Sequence, residues 1–235
     1  MSNESFEIRF DSRAVDWLRA VVSVASKDRR PPIDCVQVCA GGSLWSPVLG
    51  DFDGVTLTAT DSFRLLSVAF PLDGGLVDVD GWCDSVALPL RDVKLPAGSS
   101  LVLSSGRELN ESYGQAVAEV TAKNGGVVSQ SLRYDPAAQY PNYRNLIPAN
   151  IVGSSSPFAF NGALVGPLLT AMSKAVGRDG AQTPVRFVGN ENENKPARFD
   201  CVGAGFAASA IVMPVRIPDG RGVLGHLRET VGVSS

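Results

Sequence analysis

The feature of this sequence that most limits its fold is a strand–helix–strand–strand–strand pattern that occurs about three times. Short segments that alternate apolar and polar residues are typical of half-buried strands, and apolar residues every three to four positions are typical of a surface helix. For the first copy, the sequence predicts a strand at 6–10, a helix over 14–26 and strands at 33–39, 55–60 and 63–70. Asp11 or Ser12 can cap this helix.

The two later copies are less regular than the first. The middle copy has strand patterns at 85–88, 101–104, 116–122 and 127–134. Pro89 and Pro96 leave room for only a weak helix between its first two strands. After a connector over 135–157 that is rich in proline, asparagine and serine, the third copy is predicted as a strand at 158–160, a helix over 161–176 and strands at 184–188, 197–202 and 207–217.

Units of this kind cannot bury both faces of their sheets alone, so they are expected to pair with one another. The predicted class is therefore α+β, with antiparallel sheets on the outside and helices on the inner face. Open sheet edges also favour strand pairing between subunits.

Composition and charge exclude several classes of protein. The formal net charge of −3 argues against a protein that coats DNA simply by being cationic. The sequence has no apolar run of about 18 residues and no secretory pattern at its start, so a cytoplasmic protein without a membrane span is expected. Four cysteines without a CxxC pair, and a single histidine, His226, make a zinc site improbable. No cofactor is predicted.

The motifs expected of an enzyme are absent from the sequence. It contains no GxSxG, no HExxH and no P-loop. Asp51, Asp53 and Asp61 could hold a cation for a metal-dependent hydrolase, but a solvated turn and a hairpin corner explain these residues better. The chain is therefore predicted not to be an enzyme.

Basic residues lie within or just after the predicted helices. They are Arg19, Lys27, Arg29, Arg30, Lys174 and Arg178. Cations near the C-terminal end of a helix interact favourably with its dipole, which explains most of them. A DNA-facing surface lined by helix ends is a second explanation, and the two are compatible.

Three segments resemble the β subunit of bacterial DNA polymerase III, the β sliding clamp, and occur in the same order. Ala59–Leu65 resembles the clamp's A-T-D-G-H-R-L hairpin, with Ser62 in the glycine place and Phe63 in the histidine place. Tyr140–Pro148 is similar to the F-P-D-Y-R-R-V-L-P linker between the clamp's second and third domains, and Ile211–Ile217 is similar to its terminal V-V-M-P-M-R-L. The resemblance extends over residues 6–217 and indicates a shortened clamp, such as one encoded by a bacterial virus.

The resemblance implies a site where partners bind. In the clamp family the three segments form one pocket, which accepts a short linear motif of polymerases, the clamp loader and repair proteins. Carried over to this sequence, the pocket residues are Thr60, Arg64, Leu65, Pro141, Leu146, Ile211, Met213 and Pro214. The alternative is that the apolar members of this set are simply core residues.

The departures from the family concern its domain count. By resemblance, 1–148 corresponds to the family's second domain, with units at 5–72 and 84–148, and 149–217 corresponds to a shortened third domain, followed by a tail over 218–235. Family rings contain six domains of two units each. A chain of this length favours a trimer if the sequence pattern conceals a further half-unit. With three units per chain, a closed ring requires a different number of copies. The implied function is a processivity factor that encircles double-stranded DNA, and the alternative is a partner-binding module that does not encircle it.

Overall fold

Two antiparallel sheets and two α-helices make up the described part of the chain. The structure is a computed structural model that describes residues 5–28, 32–81, 83–105, 113–146, 160–176, 184–188 and 196–214. Its strands and α-helices are β1 Phe6–Phe10, α1 Ser12–Val22, β2 Val36–Ser46, β3 Gly50–Thr60, β4 Arg64–Pro71, β5 Val77–Gly81, β6 Cys83–Leu88, β7 Ser100–Ser105, β8 Gly114–Thr121, β9 Val127–Tyr134, α2 Gly162–Val176, β10 Val185–Val188, β11 Ala197–Gly203 and β12 Phe206–Val212. Short 3₁₀ helices lie at Leu72–Gly74, Leu90–Asp92 and Tyr143–Leu146.

The first two units exchange their first strands. One sheet has the order β5-β1-β7-β8-β9, and the other has the order β10-β11-β12-β4-β3-β2-β6. The first strand of the first unit, β1, therefore pairs with β7 of the second unit, and the first strand of the second unit, β6, pairs with β2 of the first. This reciprocal exchange joins the two units around a shared core.

Helix α1 fills the space between the sheets because one of its faces is apolar. The Asp11 carboxylate accepts hydrogen bonds from the backbone N–H groups of Arg13 and Ala14, at 2.9 and 2.7 Å, and so caps the helix as predicted. Trp17 and Leu18 are fully buried, and the Trp17 ring lies 4.7 Å from the ring of Phe206 on β12. The helix thus ties the first unit to the third.

The third unit extends the larger sheet through its last strand. Strand β12 pairs antiparallel with β4, and α2 contacts α1. The β11–β12 turn fits closely against the first unit, because Gly205 has a φ of +82° and a Cβ at Gly74 would lie 2.5 Å from its Cα. Strands of the first and third units thus belong to one continuous sheet.

The predicted α+β class is confirmed, and the element boundaries differ in places. The weak helix expected after Pro89 is one 3₁₀ turn, Leu90–Asp92. The segment 73–81, whose glycines and aspartates predict a joint after the first unit, contains strand β5. The predicted start of the third unit at 158–159, the end of its last strand at 215–217 and the tail lie outside the described residues, and the division into domains stays a prediction. None of the helices in the described ranges is long and apolar enough to span a membrane.

Candidate partner-peptide site

The three segments that resemble the clamp meet on one face of the seven-stranded sheet. Side chains alternate between the two faces of a strand. On β3, Val55 and Leu57 join the core around α1, so Thr58 and Thr60 lie on the opposite face, which we call the outer face. The β3–β4 hairpin, the linker around Tyr143 and the end of β12 all contact this outer face.

A small apolar cluster lies on the outer face, separate from the main core. Leu65 and Ile211 are paired across β4 and β12 and are 5% and 4% exposed. Trp45 and Tyr143 pack against them and are partly buried. We call these four residues the outer cluster. It joins the hairpin, the linker and β12, which lie far apart in sequence.

The tip of the β3–β4 hairpin is fixed by its own polar groups. The Asp61 carboxylate accepts hydrogen bonds from the backbone N–H groups of Phe63 and Arg64, both at 3.0 Å, and the Thr60 hydroxyl donates to the Arg64 carbonyl at 2.8 Å. Ser62 has a φ of +78°, in the left-handed region that favours glycine. The serine thus takes the conformation expected of the glycine at this place in the clamp hairpin that the segment resembles.

Two tyrosines hold the linker against the outer face. The Tyr140 hydroxyl donates to the Thr58 carbonyl at 3.2 Å, and the Tyr143 hydroxyl shares a 3.0 Å hydrogen bond with the Thr58 hydroxyl, which in turn lies 2.9 Å from that of Ser67. The two tyrosine rings meet edge to face, with their centroids 6.5 Å apart. Neither tyrosine was in the predicted set, although the Y-P-N-Y pattern of the linker is a signal for them.

Burial raises the pKa of both tyrosine hydroxyls above its ordinary value. Because the folded protein then keeps protons that the unfolded chain releases above about pH 10, stability is expected to fall as the pH rises beyond that point. In a titration followed by phenolate absorbance, part of the tyrosine signal should appear only as the protein unfolds. Tyr143→Phe should reduce this late part, and urea-unfolded protein, where all tyrosines ionise together, is the control. A single ionisation step in the folded protein would contradict the burial.

The predicted pocket residues divide into buried and accessible groups. Leu65, Ile211 and Thr60 are buried, whereas Pro141 and Met213 are exposed and Pro214 is half-buried. The Met213 N–H donates to the Phe63 carbonyl at 2.9 Å, so the exposed methionine is fixed next to the hairpin. The side chain of Leu146 lies outside the described part of the structure. Phe63, which was not predicted, is 60% exposed at the same place.

Arg64 was predicted to be a pocket residue, but its side chain is only 15% exposed. Its Nε donates to the Asp61 carboxylate at 2.8 Å, and one terminal nitrogen lies 3.5 Å from the Leu164 carbonyl of α2. These contacts connect the hairpin to the helix of the third unit. The arginine therefore supports the site through its contacts with the hairpin and α2.

The predicted DNA-facing residues are only partly described. Arg19, Lys27 and Lys174 are exposed at or near the ends of α1 and α2. Arg19 lies 3.3 Å from the Asp16 carboxylate, which neutralises part of its charge. Arg29, Arg30 and Arg178 lie outside the described residues. A DNA-facing role for the set stays a prediction.

The three aspartates considered for a cation do not come together in one site. Asp53 accepts a hydrogen bond from the Ser43 backbone at 3.0 Å, and Asp61 is used within its own hairpin. Within the described ranges, no group of three or more histidine, cysteine, aspartate or glutamate side chains could hold a metal ion. Asp53 thus contacts the neighbouring strand, and Asp61 contacts its own hairpin.

No protein-family model matches the sequence, and no curated protein matches it either. Solved structures match in fold. The β clamp of Helicobacter pylori is 9% identical over 92% of this chain and 68% of its own, with a TM-score of 0.58. The DNA polymerase III β subunit of Thermotoga maritima is 14% identical over 92% and 66%, with a TM-score of 0.52. The proliferating cellular nuclear antigen of Entamoeba histolytica is 11% identical over 90% and 99%, with a TM-score of 0.51.

These similarities define a class: the chain has the sliding-clamp fold. The resemblance found in the sequence is thereby confirmed at the level of the fold. The chain spans about two thirds of the length of the bacterial β clamps that it matches.

Proposed function

We propose that this protein is a DNA sliding clamp, a processivity factor that tethers a polymerase and other partners to double-stranded DNA. The observation that carries the proposal is the meeting of three clamp-like segments at the outer cluster, in a chain that has the sliding-clamp fold. The chain makes and breaks no covalent bond in this role. It acts in the cytoplasm, where the replication machinery of a bacterium or its virus works.

The site on the outer face suits an extended apolar peptide. Leu65 and Ile211 are buried within the outer cluster and support the site, and Met213 and Phe63 present exposed apolar surface beside them. Methionine adapts its shape to different partners, which favours a surface shared by a polymerase and a clamp loader. A partner bound at this site stays at high effective concentration near the primer end. A polymerase can therefore encounter the primer end repeatedly instead of once.

DNA contact is proposed on the side of α1 and α2. The net negative charge of the protein limits its nonspecific binding to DNA. Arg19, Lys27 and Lys174 supply a weak positive field next to the helices. Weak, sequence-independent attraction to phosphates allows sliding. Copies of the chain associate into a ring around the duplex, and chain length by itself favours three copies.

The proposal is tested by primer extension on primed circular DNA. With the cognate polymerase and clamp loader, the protein should lengthen the products of a single binding event, because a tethered polymerase rebinds before it diffuses away. Linear DNA with open ends is the control, since a ring slides off it and the gain should be largely lost. Unchanged product length on circular DNA would contradict the proposal.

A clamp-derived module that binds partners without encircling DNA is the second candidate. One observation favours it: the described residues contain only one unit of the last domain, α2 with β10, β11 and β12. Such a module would bind the polymerase peptide but give the same product length on circular and linear DNA.

A further inference from the structure

Strand β9 forms one edge of the five-stranded sheet among the described strands. It pairs with β8 on one side, and its residues 127–129 and 131 are exposed. Strand β9 also approaches β6, but Val127 and Val128 are 56% and 67% exposed, so this contact leaves the start of β9 accessible. The first half of β9 is therefore accessible surface at the end of a sheet.

The accessible part of β9 includes a residue that faces the core. Val128 is level with Val120 of β8, and Gln130 is level with Ala118, and both β8 residues belong to the main core. Val120 is 5% exposed, whereas Val128 is 67% exposed. The core is thus covered at β8 and open at β9, where one further strand would cover it.

Strand β9 lacks the charges that usually protect an edge strand. Charged side chains on exposed edges oppose pairing with another chain, and many soluble proteins carry them there. Strand β5, at the opposite edge of the same sheet, carries Asp78 and Asp80. Residues 127–132 of β9 carry no charge, and Arg133 is the one charged residue of this strand. The sequence of β9 therefore permits a pairing that the sequence of β5 opposes.

The chain contains an example of how such a strand is paired. Strands β4 and β12 are the last strands of the first and third units, and they pair antiparallel over 64–69 and 207–212. Strand β9 is the last strand of the second unit and, like them, follows an antiparallel hairpin. Because β4 and β12 pair with each other, β9 has no equivalent last strand beside it among the described strands.

We propose that β9 pairs antiparallel with β9 of a second copy of this chain across a twofold axis. A twofold contact brings the same strand of each copy together, so the surface must be self-complementary. The uncharged stretch 127–132 meets this condition, since no like charges oppose each other there. Core-facing residues oppose core-facing residues in such a pair, so each Val128 is covered by the other copy's Gln130 or Leu132.

The pairing limits how copies of the chain assemble, and it does not rest on the proposed clamp function. Each chain has one β9, and each β9 contact joins two chains. An assembly built on this contact therefore contains an even number of chains, whereas chain length by itself favours three. The two expectations give different masses in solution, so one measurement separates them.

The mass of the 235-residue protein in solution tests the proposal. Sedimentation at high micromolar concentration should give a dimer or a larger even assembly. Val128→Lys should halve that mass, because a charge buried between two edges opposes pairing. Val202→Lys is the matched control, since Val202 is 52% exposed on β11 of the other sheet and should leave the mass unchanged. A monomer, a trimer or an unchanged mass for Val128→Lys would overturn the proposal.

Hydrogen exchange gives a second test that needs no variant. The backbone amides of residues 127–133 that point away from β8 should become about tenfold more protected as the protein concentration rises through that of association, because they then bond to the second copy. Amides in the middle of β7, which lies between β1 and β8, should not change. If protection at 127–133 does not depend on concentration, the contact does not form. Neither measurement involves DNA or a polymerase, so failure of the pairing and failure of the clamp function are distinguishable.

Discussion

Replacing Met213 with aspartate is expected to weaken binding of a peptide carrying the polymerase's clamp-binding motif by about 100-fold. Burying the exposed part of the methionine contributes only a fraction of the roughly 1.5–3 kcal/mol of full burial, and the bound peptide must in addition desolvate the new carboxylate, so the two effects together correspond to a factor of about 100. Met213 is 36% exposed in the free protein and its backbone is fixed by the hydrogen bond to Phe63. A partner can therefore bury this side chain without reordering the strand that carries it. Fluorescence anisotropy of a labelled peptide measures the effect.

Two further variants make this measurement specific. Met213→Leu keeps an apolar side chain of similar volume and should bind the peptide within a few-fold of the original protein. Leu72→Asp places the same charge on a side chain that is 43% exposed at the far end of the β3–β4 pair, and it should leave affinity unchanged. If Met213→Asp also binds normally, the peptide site lies elsewhere and the carry-over from the clamp family is wrong.

Most of the fold could be predicted because its strands and helices have clear periodicity. The alternation around Ile8 and the apolar face of α1 around Leu18 are local signals, and both residues are buried. Strand β5 was missed because Asp78 and Asp80 lie in a glycine-rich segment that is typical of a loop. Its pairing with β1, where Asp78 accepts a hydrogen bond from Arg9 at 2.8 Å, is a tertiary contact that no local pattern indicates.

The candidate site could be located from the sequence, but the roles of its residues could not. The motif indicated that Arg64 belongs to the site, yet the direction of its side chain depends on Asp61 and on a carbonyl of α2, a hundred residues later. Tyr143 reaches the outer cluster because the hydroxyl of Thr58 accepts or donates a hydrogen bond there. Such contacts form only when distant segments meet, so a single sequence does not specify them.

Replacing Arg198 with alanine is expected to destabilise the protein by about 3–5 kcal/mol, because it leaves a buried carboxylate without its partner. Arg198 and Asp200 are 3% and 6% exposed on the outer face of β11. Two nitrogens of the arginine lie 3.0 Å from one oxygen of Asp200, and the Ser209 hydroxyl donates to the other at 2.9 Å. Urea unfolding measures the loss, by extrapolation to zero denaturant.

The comparison that decides this prediction uses a second ion pair of the same chain. Arg9 is hydrogen-bonded to Asp78 on the surface, with both side chains more than half exposed, so Arg9→Ala should cost much less than Arg198→Ala. Replacing Arg198 and Asp200 together with leucine should recover most of the loss, because no buried charge is then left unpaired. Ile211 and Met213 follow on from Ser209 along β12, so a loosened β11–β12 pair should also weaken peptide binding in the single variant. If Arg198→Ala costs no more than Arg9→Ala, the outer face is open to water at this point, and the Arg198–Asp200 pair does not support the strand that leads to Met213.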